Sequence, residues 1–295
     1  MPEYNRIKRA RPLLGTLVEI TLEGKRDEKT LHTLAGAAFT EIERVHRLMS
    51  FHDPHSDISR LNTDGRGRPV PLHPWTIEVL RCAENLKNDT AGLFDVCIAG
   101  SLLHLGYLPG QGTKVPPLCR FGIIKLYDNH QARLYGGAYV DVGGIAKGFA
   151  VDKAVDILRG IGGLSGIVNA GGDLRVFGAK SQLVNLRDPS EPGTSHHAIQ
   201  LKDGALATTG SYFSRKKLPE GAWVAPLIHP HTRRANPGSR SVTVAAPTAM
   251  LADALTKVAW FARAEDSARL LKTYRASGWV LGKHQEVVPL TGKAA

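Results

Sequence analysis

The segment best suited to binding a phosphate is VDVGGIAKGFAVDKAVDIL, residues 140–158. Gly143 and Gly144 separate a predicted strand from a predicted helix, and glycine lets backbone approach a ligand closely. The start of this helix offers free N–H groups and a positive dipole end to an anion. Lys147 adds a mobile positive charge, and the Asp141 carboxylate can accept hydrogen bonds from an adenine amine or a ribose hydroxyl. An ordinary strand-to-helix turn with a solvated lysine explains the same pattern, and the segment matches neither a Walker loop nor a GxGxxG fingerprint.

A single acid interrupts the apolar segment SVTVAAPTAMLADALTKVAWFA, residues 241–262. Asp253 falls on an apolar face of the predicted helix, where an unpaired charge is costly. Thr256 and Lys257 follow three and four residues later, so both share its side of the helix. The partner of Asp253 is therefore either Lys257, in an ion pair, or a divalent cation held by oxygen ligands.

Two other segments have weaker chemical signals. In IVNAGGDLRVFG, residues 167–178, the Gly171-Gly172 pair followed by Asp173 favours a tight hairpin, although Asn169 and the glycine backbone could border a flat ligand. The segment GLFDVCIAGSLLHLGY, residues 92–107, is typical of buried core.

Hydrophobic periodicity predicts the helices and strands that must position these residues. It predicts helices over residues 30–49, 74–88, 146–159, 249–264 and 265–276. It predicts strands over residues 14–22, 139–142, 197–201, 241–245 and 278–281, a hairpin over 121–135, and a strand–turn–strand over 165–178. Several strands are joined as hairpins, which favours an α+β or mixed fold over a doubly wound parallel sheet. We expect one domain over residues 11–290 after a flexible basic N-terminus, residues 1–10.

Composition excludes some classes of protein. The 295 residues are 42% apolar, enough for an ordinary core, and no continuous apolar run is long enough to span a membrane. No export signal is read at the N-terminus, so we expect a cytoplasmic protein. The net charge of +11 is spread along the chain without interleaved aromatic residues, which argues against nucleic-acid binding. Three widely spaced cysteines suggest no metal or redox pair.

Taken in order, seven segments resemble the flavin transferase family of the ApbE type, the FAD:protein FMN transferases. They are RPLLGTLVEI, MSFHDPHSDISRLN, GLFDVCIAGSLLHLGY, VDVGGIAKGFAVDKA, VNAGGDLRVFG, ALATTGSYFSR and PTAMLADAL. The resemblance implies an α+β fold with mixed, largely antiparallel sheets and packed helices. It also implies transfer of FMN from FAD to a Thr or Ser hydroxyl of a target flavoprotein, with release of AMP and support from Mg²⁺.

The resemblance carries site residues over by position. Those expected to contact FAD are Leu14, His52, Cys97, Ile98, Ala99, Asp141, Lys147 and Leu227, with Lys257 placed near the pyrophosphate. The expected metal ligands are the Gly144 main-chain oxygen and Asp253, with Thr256 as a further candidate. No catalytic base can be assigned, and neither the acceptor protein nor the oligomeric state can be read.

The sequence departs from the family at three places. Lys257 stands where the family has a threonine, four residues after the metal-binding aspartate, and Thr256 is one residue early. In PLIHPHTR, residues 226–233, His229 replaces an acid. Phe213 stands where some members have a histidine. We hypothesise that the Lys257 ammonium replaces part of the metal's charge; otherwise it simply neutralises Asp253. The alternatives to a transferase are a FAD-binding carrier or assembly factor without transferase activity, and a FAD diphosphatase that gives FMN and AMP.

Overall fold

The chain folds into two compact units in a computed structural model. The structure describes residues 3–110, 121–186, 197–210, 214–218, 221, 223–236, 240–282 and 286–290. The first unit consists of Met1–His46, Ile145–Gly210 and Arg240–Ala295, and the second of Arg47–Gly144 and Ser211–Ser239. Each unit draws on separated stretches of chain, so the single domain expected over residues 11–290 stays a prediction. The departure at Phe213 lies outside the described residues.

The strands and helices are numbered in chain order. The strands are β1 (Tyr4–Leu13), β2 (Thr16–Lys25), β3 (Val70–Pro71), β4 (Gly122–Tyr127), β5 (Gln131–Gly136), β6 (Leu164–Ala170), β7 (Asp173–Phe177), β8 (Gln182–Leu186), β9 (His197–Leu201), β10 (Ala205–Gly210), β11 (Lys216–Lys217), β12 (Trp223–Val224), β13 (Ser241–Ala246), β14 (Ser277–Leu281) and β15 (Val287–Pro289). The helices are α1 (Glu28–Met49), α2 (Asp57–Thr63), α3 (Pro74–Asp89), α4 (Ala99–His104), α5 (Ala146–Ile161), α6 (Ala249–Phe261) and α7 (Ala264–Thr273), and a 3₁₀ turn covers Asp64–Arg66. All five predicted helices are confirmed, with ends that agree within three residues.

The first unit is built on an eight-stranded sheet. Its order is β1-β2-β6-β7-β10-β13-β14-β15, and every neighbouring pair is antiparallel. Helix α5 packs against α6, β6 and β7, and α6 packs against β10 and β13. The predicted α+β class with a largely antiparallel sheet is confirmed.

The β6–β7 connection is the tight hairpin that the Gly-Gly pair predicts. Ala170 pairs with Asp173, so the turn consists of two residues only. Both have positive φ, 66° at Gly171 and 108° at Gly172, which only glycine adopts without steric cost. The Asn169 side-chain oxygen accepts the Gly172 N–H at 2.8 Å. Asp173 is thereby fixed as the first residue of a buried strand.

Residues 4–10 of the basic N-terminus, expected to be flexible, lie in the paired strand β1. Strand β1 pairs along its whole length with β2. Ile7 is buried, and the guanidinium groups of Arg9 and Arg11 lie over the ring of Phe39 on α1. The aliphatic stems and planar heads of arginines can cover apolar surface in this way, which basic composition alone did not reveal.

The second unit contains α2, α3, α4 and the three-stranded antiparallel sheet β3-β5-β4. The strand expected at residues 139–142 is absent from it. The backbone of this segment is nevertheless hydrogen-bonded at Val140. The Asn62 side chain donates to the Val140 carbonyl at 2.8 Å and accepts its N–H at 2.7 Å. A side-chain amide thus takes the place of a neighbouring strand, so the sequence of the segment is typical of a strand although the segment joins no sheet.

None of the helices in the described part of the chain is long and apolar enough to cross a membrane.

Candidate functional site

Four charged side chains of the first unit meet in what we call the lysine–aspartate cluster. Lys147 is the second residue of α5, Asp173 begins β7, and Asp253 and Lys257 lie one turn apart on α6. The Lys147 ammonium lies 3.0 Å from Asp173 Oδ2 and 3.4 Å from Asp253 Oδ2. The Lys257 ammonium pairs with Asp253 Oδ1 and donates to the Asp253 main-chain oxygen at 2.9 Å. The ion pair that the i,i+4 spacing predicts is therefore present.

The members of this cluster differ in exposure. The side chains of Asp253 and Asp173 are 0% and 6% exposed, whereas those of Lys147 and Lys257 are 31% and 20% exposed. The carboxylates are thus covered by protein, while the lysine side chains keep access to solvent. A ligand that reaches this cluster from solvent meets lysine first, which suits an anion.

The electrostatics keep Asp253 and Lys147 charged, whereas they favour the protonated form of Asp173. Burial by itself would raise the pKa of Asp253, but the ammonium groups of Lys147 and Lys257 outweigh it and the pKa is lowered. Burial followed by the charge of Asp253 raises the pKa of Asp173. Burial would lower the pKa of Lys147, but the two carboxylates overcome this and raise it, so this lysine keeps its proton.

A close helix crossing sets the distance between α5 and α6. A Cβ on Gly148 would lie 2.1 Å from the main-chain oxygen of Ala249, so only glycine allows this approach. The Gly148 N–H also donates to Asp253 Oδ2 at 3.3 Å. The start of α5 therefore binds the Asp253 carboxylate through both a lysine and a backbone donor.

A second buried ion pair joins the same three elements. Asp152 on α5 accepts the N–H groups of Ala249 and Met250, the first two residues of α6, at 2.9 Å and 2.8 Å. Arg175 on β7 donates to the same carboxylate at 2.8 Å, and its side chain is only 9% exposed. An acid at a helix N-terminus satisfies otherwise unpaired donors and complements the helix dipole. This pair fixes the start of α6, the helix that carries Asp253 and Lys257.

The donor set around Asp253 does not fit a magnesium ion. Both of its carboxylate oxygens already accept from ammonium or N–H groups. The cluster has no net negative charge even with both carboxylates ionised, since they face two ammonium groups, and a dication would be repelled by both lysines. Among the described residues, no group of three or more His, Cys, Asp or Glu side chains could hold a metal ion.

Thr256, the further candidate metal ligand, uses its hydroxyl within the fold. Its Oγ1 lies 2.6 Å from Thr209 Oγ1 on β10 and 2.6 Å from the Asp253 main-chain oxygen, and the residue is fully buried. The other predicted ligand, Gly144, is the last residue of the second unit's longer segment.

Among the expected FAD contacts of the second unit, the structure joins two segments. The Asp141 N–H donates to the Val96 carbonyl at 2.9 Å, and the Ala99 N–H donates to the Tyr139 carbonyl at 3.1 Å. The family resemblance implies a FAD-lining strand at residues 97–99, but these residues form a turn and the beginning of α4. Asp95 accepts the Cys97 N–H at 2.9 Å, and such side-chain capping competes with strand pairing. Burial raises the pKa of the Cys97 thiol, which therefore stays protonated.

The remaining expected contacts occupy turns and loops. Leu14 has a φ of 55° in the two-residue turn between β1 and β2. His52 is exposed in a turn after α1, and Leu227 is buried in the second unit. Near Leu227, the His229 ring nitrogen Nδ1 accepts the N–H groups of His231 and Thr232. Of all the predicted site residues, the structure shows direct side-chain contact among Lys147, Asp253 and Lys257.

Sequence analysis missed the parts of this site that depend on the sheet. The sequence pattern places Asp173 only after a hairpin turn, and it does not pair Asp152 with Arg175. Asp173 follows the Gly-Gly pair directly, and Asp152 lies five residues after Lys147. An acid that follows a predicted buried turn and an acid inside an apolar helix are signals of the kind that drew attention to Asp253.

Comparisons with known proteins agree with this fold and these segments. The sequence model of the ApbE family matches residues 14–278. A Vibrio cholerae protein named FAD:protein FMN transferase is 30% identical over 264 residues, covering 83% of this chain and 78% of that protein. A Treponema pallidum protein of the same name is 25% identical over 304 residues, covering 92% of this chain and 82% of its own length. The crystal structure of the ApbE protein from Thermotoga maritima superposes with a TM-score of 0.84 and 25% identity over 97% of each chain.

Proposed function

The chain belongs to the ApbE family, and on that premise we propose that it transfers FMN from FAD to a Thr or Ser hydroxyl of a target flavoprotein and releases AMP. The observation that carries the proposal is the lysine–aspartate cluster at the start of α5, in which two partly exposed lysines lie over buried carboxylates. Relatives named FAD:protein FMN transferase support the substrate and the group transferred.

In this reaction the acceptor hydroxyl oxygen attacks the phosphorus on the FMN side of the FAD pyrophosphate. A phosphoester P–O bond forms, the P–O bond to the bridging oxygen breaks, and AMP leaves with that oxygen while the hydroxyl proton passes to solvent. Negative charge is redistributed over the phosphate oxygens and the leaving AMP, so catalysis depends mainly on positioning and on nearby positive charge. Lys147 and Lys257 supply that charge.

The proposal contains no step through magnesium, although the family resemblance leads us to expect it. Asp253 would be the carboxylate ligand, and the Gly144 main-chain oxygen and Thr256 are the other expected ligands. The described contacts leave neither Asp253 oxygen without a donor, and the Thr256 hydroxyl is bonded to Thr209.

The test is to incubate the purified protein with FAD and an acceptor flavoprotein known to be modified by a related transferase. We expect AMP release together with a mass gain of one FMN on the acceptor, minus water. The matched variant Lys147→Gln should reduce the rate by about 100-fold or more, as removal of one charge-stabilising donor does elsewhere. An acceptor Thr→Val variant should gain no mass.

Two other results would contradict the proposal in different ways. FMN and AMP formed without modification of the acceptor would identify a FAD diphosphatase. FAD retained without any product, while the related transferase modifies the same acceptor, would identify a flavin carrier or assembly factor.

A further inference from the structure

The Lys257 ammonium pairs with the buried carboxylate of Asp253, and we propose that it serves as a built-in counter-charge in place of a divalent cation, so that this protein acts on the FAD pyrophosphate without a bound metal ion. The inference rests on the proposed function for its substrate. It goes beyond that function in assigning the positive charge to a residue of this chain.

The first observation is how firmly Lys257 is held. Its ammonium has two acceptors on one residue, the Oδ1 atom and the main-chain oxygen of Asp253. An exposed i,i+4 pair on a helix fluctuates and contributes little. Here the carboxylate is fully buried, and removing its partner would leave an uncompensated charge inside the protein. The ammonium therefore has a fixed place beside Asp253.

The second observation is the balance of charge. With Asp173 ionised, the two carboxylates balance the ammonium groups of Lys147 and Lys257, and with Asp173 protonated the cluster is positive, so it has no net negative charge in either state. A bound dication would add two positive charges in a partly buried place and would lie close to both ammonium groups. If Lys257 were a neutral residue and Asp173 were ionised, the cluster would carry one net negative charge, as a cation site does.

The third observation concerns the ligand. The lysine side chains are 20–31% exposed and the carboxylates are almost completely covered. The lysine side chains, and not the carboxylates, are therefore the part of the cluster that a pyrophosphate can contact. A lysine that only neutralised Asp253 would occupy the same place, so the two roles must be separated by experiment.

The experiment compares the full-length protein with Lys257→Thr and Lys257→Met, and uses Lys272→Thr, on the exposed face of α7, as a control. AMP release from FAD is measured with the acceptor flavoprotein in EDTA and in Mg²⁺. Mn²⁺ binding is measured separately by electron paramagnetic resonance of the free ion, with no FAD present. Thermal unfolding shows that each variant is folded.

We expect the wild type and Lys272→Thr to release AMP in EDTA, to change rate little with Mg²⁺, and to bind no stoichiometric Mn²⁺. Lys257→Thr should lose about 100-fold of its rate in EDTA, regain much of it in Mg²⁺, and bind one Mn²⁺. Lys257→Met should also lose about 100-fold of its rate in EDTA, and Mg²⁺ should not restore it. The Lys257→Thr rescue is the result that a purely structural lysine would not produce.

The inference is overturned if the wild type is inactive in EDTA and restored by Mg²⁺, or if it binds one Mn²⁺ with Lys257 in place. It is also overturned if Lys257→Thr stays fully active in EDTA. Should the wild type release no AMP under any condition, the proposed function fails. The Mn²⁺ measurement would then still decide whether Lys257 excludes a metal from Asp253.

Discussion

Two ion clusters lie side by side on α5, α6 and β7, and they are built differently. In the lysine–aspartate cluster the carboxylates are buried and the lysines partly exposed. In the Asp152–Arg175 pair the acid and the base are both almost completely buried. The acid of this pair also accepts two backbone N–H groups at the start of α6.

This difference distinguishes an ion pair that stabilises the fold from a cluster that can bind a ligand. A carboxylate whose donors are all buried has no remaining contact to offer a ligand, so the Asp152–Arg175 pair holds α5, α6 and β7 together. A carboxylate whose cations reach solvent keeps those cations available. The same three elements thus carry a structural joint and, about one helical turn away, a group of charges suited to an anion.

The largest expected effect is on the structural joint. Asp152→Ala leaves the buried Arg175 without its buried partner and removes the acceptor of two helix N–H groups, so we expect a loss of about 3–5 kcal/mol in the free energy of unfolding. Asp156 lies 3.6 Å from the same arginine but is 55% exposed, and Asp156→Ala should cost less than about 1 kcal/mol. Urea unfolding of both variants measures this, and equal losses would contradict the assignment.

The next effect tests the helix crossing that both clusters share. Gly148→Ala introduces a methyl group 2.1 Å from the Ala249 oxygen and should cost about 1–3 kcal/mol as α5 and α6 separate. Gly160→Ala on the same helix meets no atom within 4 Å and should instead stabilise by about 0.4–1 kcal/mol. The two thermal midpoints should therefore move in opposite directions. An unchanged or higher midpoint for Gly148→Ala would mean that the crossing tolerates a side chain.

A smaller effect tests whether Thr256 belongs to the architecture. The hydrogen bond between Thr256 and Thr209 is buried, so a double-mutant cycle with Thr256→Val and Thr209→Val should give a coupling of about 1 kcal/mol in the free energy of unfolding. The cycle is measured by urea unfolding. A coupling indistinguishable from zero would mean that this hydrogen bond does not stabilise the fold and that the Thr256 hydroxyl is available for another role.

The smallest effect comes from an exposed pair of the same unit. Arg269 and Asp266 lie 3.3 Å apart on α7 with side chains 77% and 47% exposed. Arg269→Ala should change the free energy of unfolding by less than about 0.5 kcal/mol, since solvent screens the charges before and after the substitution. A larger loss of unfolding free energy, measured in urea, would show that burial does not determine how much these ion pairs contribute to stability.

The sequence determined the features that depend on neighbouring residues. The Asp253–Lys257 pair follows from helical spacing, because residues four apart share one side of a helix. The β6–β7 turn follows from Gly171 and Gly172, because positive φ strongly favours glycine. The helices were predicted closely for the same local reason, and seven ordered segments were enough to identify the family.

Tertiary structure alone decided which distant groups meet. Asp173 meets Lys147, and Arg175 meets Asp152, because antiparallel register and the α5–α6 crossing bring β7 and two helices together. No spacing along the chain encodes those distances. For the same reason residues 139–142 are predicted as a strand, whereas in the structure Val140 bonds to the side chain of Asn62, which is far away in sequence. Local periodicity depends on bonds within one element, whereas these partnerships depend on how several elements pack, and packing is a property of the whole unit.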